Sequence, residues 1–244
     1  MTDVKGKWAL ITGASRGIGY EIAKFMAGNG CNLVLHSRKL EHTEKILAEV
    51  KAYGVEAYAV EADLADMDSV NKMLDEVEEK GTAIDILFND AGVQIAYRND
   101  CFSTPVEDFT QSFLINTIAP AVICYRLLPK MIERGFGRVI NTTSGINNDP
   151  QQAGYSASKA ALDKFTKDLS TKIEGTDVMM NLADPGWCRT DLGGSYAPNS
   201  LESCIPGMVV GAFADDKKSG RIMSAQEFAG MTLEDAIKKV DTME

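Results

Sequence analysis

Short apolar runs alternate along the chain with longer stretches in which apolar residues recur at helical spacing. WALIT (8–12), NLVLHS (32–37), EAYAVEAD (56–63), DILFNDAG (85–92), GRVINTTS (137–144) and VMMNLADPG (178–186) read as strands, with GRIMS (220–224) a short seventh. Between them the pattern predicts a helix from about Ile18, a second over 41–54 ending at Gly54, and a third over 68–81 ending at Gly81. Helical spacing returns over Val106–Arg134, where Pro120 and Pro129 predict a bend or break, and again over 153–174. A looser segment bearing Gly and Pro separates the last two strands, and the region at about 187–215 is expected to form substrate-facing loops. Regular strand-helix alternation without an internal repeat predicts one α/β domain over 1–244, because parallel neighbours need crossover connections.

Composition narrows the partners. With 45% apolar residues, 244 residues suffice for a single large core. A formal net charge of −10 opposes a phosphate backbone as ligand, so no nucleic-acid role is expected. The cysteines (Cys31, Cys101, Cys124, Cys188, Cys204) are odd in number and lack a CxxC pair, and His36 and His42 have no partner at metal-ligand spacing. Neither a disulfide framework nor a metal site is expected. The N-terminus lacks the layout of a secretory signal and no apolar run reads as a membrane span, so a cytoplasmic protein without membrane partners is expected.

Between the first strand and its helix lies Thr12-Gly13-Ala14-Ser15-Arg16-Gly17-Ile18-Gly19, a glycine-rich turn that lets backbone N–H groups and a helix N-terminus face an anion. Further on come Asn89-Asp90-Ala91-Gly92, Asn116, Ser144, Tyr155-Ser-Ala-Ser-Lys159 and Pro185-Gly186-Trp187-Cys188-Arg189-Thr190, in that order. In these motifs the sequence resembles the short-chain dehydrogenase/reductase family over nearly its whole length, and its carbonyl-reductase-like members in particular. The resemblance implies a doubly wound Rossmann fold with a mostly parallel seven-stranded sheet, and ligands at the carboxyl ends of its strands.

It also implies hydride transfer between nicotinamide and a small carbonyl or alcohol. Tyr155 would be the general acid/base, Ser144 would hydrogen-bond the substrate oxygen, Lys159 would hold the nicotinamide ribose, and Asn116 would anchor a water in a proton relay. The residues support this reading independently. A free tyrosine, with a pKa of about 10, is poorly poised near neutral pH, and a lysine four residues away on one helix would pull it down.

For the cofactor, the resemblance assigns Gly13, Ser15, Arg16, Gly17, Ile18 and Gly19 to the phosphates, Asp63 and Leu64 to adenine, Asn89, Ala91 and Gly92 to the adjoining cleft, and Pro185, Gly186, Cys188 and Thr190 to the nicotinamide, beside Tyr155 and Lys159. At the end of the second strand NAD-using relatives carry an acid. Here stand Ser37 and Arg38, and with Arg16 they offer two guanidinium groups to a 2′-phosphate. NADP(H) is the preferred cofactor, with NAD(H) the alternative.

Three departures mark this chain. Asp90 replaces the usual second asparagine of its motif, the loop between Ser144 and Tyr155 is short, and Asp184 precedes Pro185 where uncharged residues are frequent. Asp184 reads as a cap or as a partner of Arg189. Trp187 reads either as a pocket residue or as core. Arg98, Asn147, Asn148, Asp149, Gln151 and Gln152 hint at a polar substrate. A catalytically silent NADP(H)-binding redox sensor is the rival function, which would have no need of the Asn116, Ser144, Tyr155 and Lys159 set. An extended-family epimerase would need a longer C-terminal domain than follows Thr190. A homodimer or homotetramer through the helices near 106–134 and 153–174 is expected by resemblance.

Overall fold

Alternation within the strands decides which helices cover which face. In β1 (Trp8–Ile11) Ala9 and Ile11 join one apolar cluster and Leu10 the other, and in β2 (Asn32–Ser37) Leu33 and Leu35 part from Val34 in the same way. A strand buried on both faces needs helices on both sides. The computed structural model, which describes residues 1–243, places them there. One face carries α1 (Gly17–Gly28), α2 (Glu44–Lys51), α7 (Leu201–Phe213) and α8 (Leu233–Asp241), through residues such as Met26, Ile46, Met208 and Ile237. The other carries α3 (Met67–Glu79), α5 (Ala119–Arg134) and α6 (Ala153–Ser170), through Leu74, Ile123, Leu127 and Phe165.

The remaining strands are β3 (Ala57–Glu61), β4 (Ile84–Asn89), β5 (Gly137–Thr142), β6 (Val178–Asp184) and β7 (Ile222–Ser224), and α4 (Val106–Phe113) precedes α5. All pairs are parallel and the sheet order is β3-β2-β1-β4-β5-β6-β7. The winding reverses between β1 and β4, which opens a crevice beyond their carboxyl ends.

Two elements differ from the sequence expectation. The helical stretch 106–134 does break, but at a π turn over Leu114–Ile118, whereas Pro129 lies within α5. This stretch is also long and apolar enough to cross a membrane by length and composition, contrary to the expectation from sequence. Its apolar side is committed to the core: Ile123, Cys124, Leu127, Leu128 and Met131 are buried against the sheet and α3. The second difference is the region near 187–215. Only its first half is loop, closed by a bridge between Cys188 and Asn199. The second half is α7, whose all-round apolar sequence is buried and whose glycines let it lie close to its neighbours. A Cβ on Gly207 would fall 2.3 Å from Ala225 Cα.

Candidate active site

The glycine turn owes its shape to close backbone approach. Gly13 and Gly17 have φ of 72° and 60°, a Cβ on Gly13 would lie 2.9 Å from Ala91 Cα, and one on Gly19 would lie 2.5 Å from Gly13 O. His36, at the end of β2, supports the turn in a way the sequence did not suggest. Its Nδ1 accepts the Gly13 N–H at 3.3 Å and its Nε2 lies 3.1 Å from Ala62 O, so the proton sits on Nε2. Burial holds its pKa down at about 4, and the ring is neutral.

Beyond the carboxyl end of β2, Arg38 is exposed, and Arg16 pairs with Asp191, 3.3 Å away across a solvent-exposed pair. Ser37 is buried and donates to Lys39 O at 2.5 Å. Asp63 accepts the Ala65 N–H at 2.9 Å and Leu64 is buried beneath it. Asn89 is not in the crevice: its amide lies between β4 and β5 and donates to Asn141 Oδ1 at 2.8 Å. Ala91 is tied to the turn through its N–H to Thr12 Oγ1 at 3.0 Å.

The loop after β6 closes the opposite side. A Cβ on Gly17 would come within 3.7 Å of Thr190, whose hydroxyl accepts the Gly193 N–H. Gly186 adopts φ 70°, and Pro185 O accepts from Gln226 at 2.8 Å. Cys188 is buried beneath this loop and donates to Pro185 O, so its side chain faces the interior. Trp187 stays on the rim, 59% exposed, with Nε1 donating to Gly193 O. Arg98 forms a bidentate pair with Asp108 at 2.7 and 2.9 Å, and its N–H reaches Gln151 O, which joins the loops 94–100 and 146–152.

At the carboxyl ends of β4, β5 and β6 these walls meet the four residues Asn116, Ser144, Tyr155 and Lys159. Lys159 is buried on α6 and donates to Thr142 O at 2.7 Å, 6.0 Å from the Tyr155 ring centre. Desolvation lowers its pKa to about 8, opposed by the charges of Asp90, Asp163 and Asp184. Tyr155 is raised above the ordinary phenol range, first by burial and then by Asp184, while the Ser144 hydroxyl draws it down. The expectation that Lys159 directly lowers Tyr155 is therefore not met in this arrangement. The ammonium is turned to a carbonyl, and burial dominates at the phenol.

Asn116 sits in the π turn with no exposed surface. Its amide accepts the Val93 N–H and donates to Val93 O, each at 2.9 Å, and donates to Ser158 Oγ at 3.0 Å. Both amide protons are thus occupied, and the side chain fixes the segment after Gly92 beside α6. A Cβ on Gly92 would lie 3.4 Å from Asn116 Oδ1 and 3.6 Å from Lys159 Nζ, so this glycine sits directly against both side chains. Asp90 accepts from Thr142 Oγ1 and from the Gly19 N–H, yet burial still raises it to about 6. Among the described residues no His, Cys, Asp and Glu cluster could hold a metal ion.

The family described as short chain dehydrogenase matches residues 7–200. A 3-oxoacyl-[acyl-carrier-protein] reductase of Synechocystis is 34% identical over 210 residues, 84% of this chain and 84% of that one. A reductase of the same description from Aquifex aeolicus is 32% identical, over 78% and 77%. A short chain dehydrogenase of Pseudocercospora fijiensis is 33% identical over 78% of this chain, which spans only 62% of that longer protein. Among solved structures, a metagenomic short-chain oxidoreductase in complex with NADP superposes with a TM-score of 0.70 at 30% identity, covering 76% of this chain and 84% of the other. An NAD+-bound xylitol dehydrogenase shares the fold at a TM-score of 0.81 and 24% identity, over 91% and 98%. The match spans the glycine turn, the Tyr155 and Lys159 helix and the loop after β6, and the chain belongs to the short-chain dehydrogenase family of oxidoreductases.

Proposed function

We propose that this protein is an NADP(H)-dependent oxidoreductase acting on a small carbonyl or alcohol, with Tyr155 as proton donor and acceptor. One observation carries the reading: half-buried Tyr155, its hydroxyl partner Ser144 and buried Lys159 converge beside the glycine turn at the crevice where the sheet winding reverses.

The residues present fit a dinucleotide. The turn at Gly13, Ser15, Gly17, Ile18 and Gly19 keeps side chains away from a pyrophosphate, which α1 would meet with its N-terminus. Arg38 and Arg16 would take the 2′-phosphate, Asp63 and Leu64 the adenine, and Pro185, Gly186 and Thr190 the nicotinamide. When bound, the nicotinamide supplies or accepts the hydride.

In reduction, Tyr155 Oη hands its proton to the substrate oxygen, which Ser144 Oγ holds by hydrogen bond. Burial raises the phenol and so opposes that step, while the Ser144 hydroxyl draws its pKa down and favours it. Lys159, which titrates near 8, can pass a proton on near neutral pH and, in this reading, orients the ribose hydroxyls. Asn116 acts by positioning the segment at Val93 and, in this reading, the water behind Lys159. In oxidation the same groups run in reverse.

A panel of small ketones and aldehydes with NADPH and NADH, followed by loss of reduced-cofactor absorbance, tests this. Turnover by the wild type and its loss in Tyr155→Phe are expected. Equal rates for the two proteins would overturn the reading in favour of a silent NADP(H)-binding sensor. A homodimer or homotetramer through the outer face of α5 and α6 is part of the proposal, supported by exposed Ile118, Tyr125 and Ile132. Sedimentation equilibrium would check it.

A further inference from the structure

Three carboxylates act on Lys159, and they are not equivalent. Asp90 is taken up by Thr142 and the Gly19 N–H, and Asp163 accepts from Thr143 Oγ1. Asp184, the last residue of β6, keeps spare capacity. Its Oδ1 accepts the Gly186 N–H at 2.9 Å, and its Oδ2 is directed at the backbone of Gly145, where a Cβ would fall 2.8 Å from that oxygen. A carboxylate offers about four acceptor positions, and Oδ2 receives no hydrogen bond from the described residues.

Nor is Asp184 neutralised. Arg189, the partner expected from sequence, donates instead to Ala197 O and Pro198 O at 3.0 and 2.9 Å. No lysine or arginine among the described residues lies within ion-pair distance of Asp184. Its position at the carboxyl end of β6, against Gly145, places it at the reacting end of the crevice, and its charge reaches both Tyr155 and Lys159. The bare Gly145 that gives Oδ2 its room directly follows Ser144, the residue set to hold the substrate oxygen.

We propose that Asp184 is a specificity-determining residue: its Oδ2 accepts a hydrogen bond from a hydroxyl on the carbon next to the reacting carbonyl. The substrates are then α-hydroxy ketones and, in the reverse direction, vicinal diols. A 2-oxo acid would set a second carboxylate against Asp184, and a simple ketone would leave the anion without its donor. The ammonium of Lys159 nearby favours a neutral donor over a cationic one. This inference rests on the oxidoreductase reading for its reacting carbonyl, but the selection it describes is also a property of binding.

The test compares isosteres. With NADPH, kcat/KM of the wild type is expected to be higher for hydroxyacetone than for 2-butanone, and lowest for pyruvate. Asp184→Ala should cost hydroxyacetone roughly 10- to 100-fold more than it costs 2-butanone, the range for a hydrogen bond to a charged group. Asp184→Asn should raise the relative rate with pyruvate by relieving the repulsion. In parallel, wild-type and Asp184→Ala proteins loaded with NADP+ are titrated with 1,2-propanediol and 2-butanol, with tryptophan fluorescence as the signal. Tighter, Asp184-dependent binding of the diol is expected. Parallel losses on both ketones, or equal binding of diol and alcohol, would overturn the inference while leaving the oxidoreductase reading intact. Diol selectivity without turnover of any carbonyl would do the opposite.

Discussion

Asp90 accepts a hydrogen bond from Thr142 Oγ1 at 2.8 Å, while the carbonyl of the same Thr142 takes the ammonium of Lys159 at 2.7 Å. One residue at the end of β5 thus holds an acid and a base that burial pushes toward each other, Asp90 up to about 6 and Lys159 down to about 8. The negative charge of Asp90 supports the ammonium. Asp90→Asn should therefore lower the Lys159 pKa below its value in the wild type. An NMR titration of the Lys159 side chain checks this, and an unchanged or raised midpoint would show that the two groups are not coupled.

Lys159 also has a stability signature. Its folded pKa lies below the ordinary 10.5, so between pH 8 and 10.5 the unfolded chain binds a proton that the folded one does not, and stability rises with pH in that window. The contribution is roughly 3 kcal/mol at about 1.4 kcal/mol per pH unit. Buried thiols and phenols titrate there with the opposite sign, so the test is a difference. Denaturant unfolding of wild type minus Lys159→Met should show the rise, and a flat difference would contradict it.

His36 gives an acid-side counterpart. Because it is held neutral down to about 4, the unfolded chain gains a proton first as pH falls below 6.5, and stability is lost between 6.5 and 4. His36→Gln keeps hydrogen-bonding capacity without titrating and should remove this component. His36→Leu strands the Gly13 N–H and Ala62 O, and should lower stability by about 1–3 kcal/mol and weaken cofactor binding. Thermal melts across that pH range, with and without NADPH, measure both effects.

Ser144 is the one side chain that draws the Tyr155 pKa down. Ser144→Ala should raise the phenol further and remove a donor to the substrate oxygen. The expected outcome is a loss of about a hundredfold in kcat together with a shift of the tyrosine-dependent limb of its pH profile to higher pH. A rate loss with an unmoved limb would confine Ser144 to substrate binding.

In the proposed function, cofactor choice rests on the guanidinium groups. Arg38→Asp should raise KM for NADPH about 10- to 100-fold and change that for NADH by less than about threefold, because only the former carries the 2′-phosphate. Unchanged discrimination would remove Arg38 from the phosphate clamp and leave Arg16, now facing Asp191, as the remaining candidate.

Strand-helix alternation and the spacing of glycines were enough to read the seven parallel strands and the glycine turn from sequence, since both follow from local periodicity and backbone sterics. The Tyr155 and Lys159 pair was legible for the same reason, one helical turn apart. Local pattern could not show where side chains turn once the sheet is assembled. Asn89 went to the interior to satisfy Asn141, Cys188 beneath its loop, and α7 into the core although its Pro206 and glycines read as loop. His36 gave no signal beyond an isolated ring in a strand, yet the β1–β2 pairing brings it under Gly13. The electrostatics lay furthest from the sequence. Burial and the charges of Asp90, Asp163 and Asp184 set the proton affinity of Lys159, and burial, Ser144 and Asp184 that of Tyr155, rather than the i, i+4 spacing. The sequence by itself determined the fold and the order of the candidate site residues along it, because both are written in spacing along one chain. Tertiary structure decided how the groups are tuned, because desolvation and charge act across elements far apart in the chain.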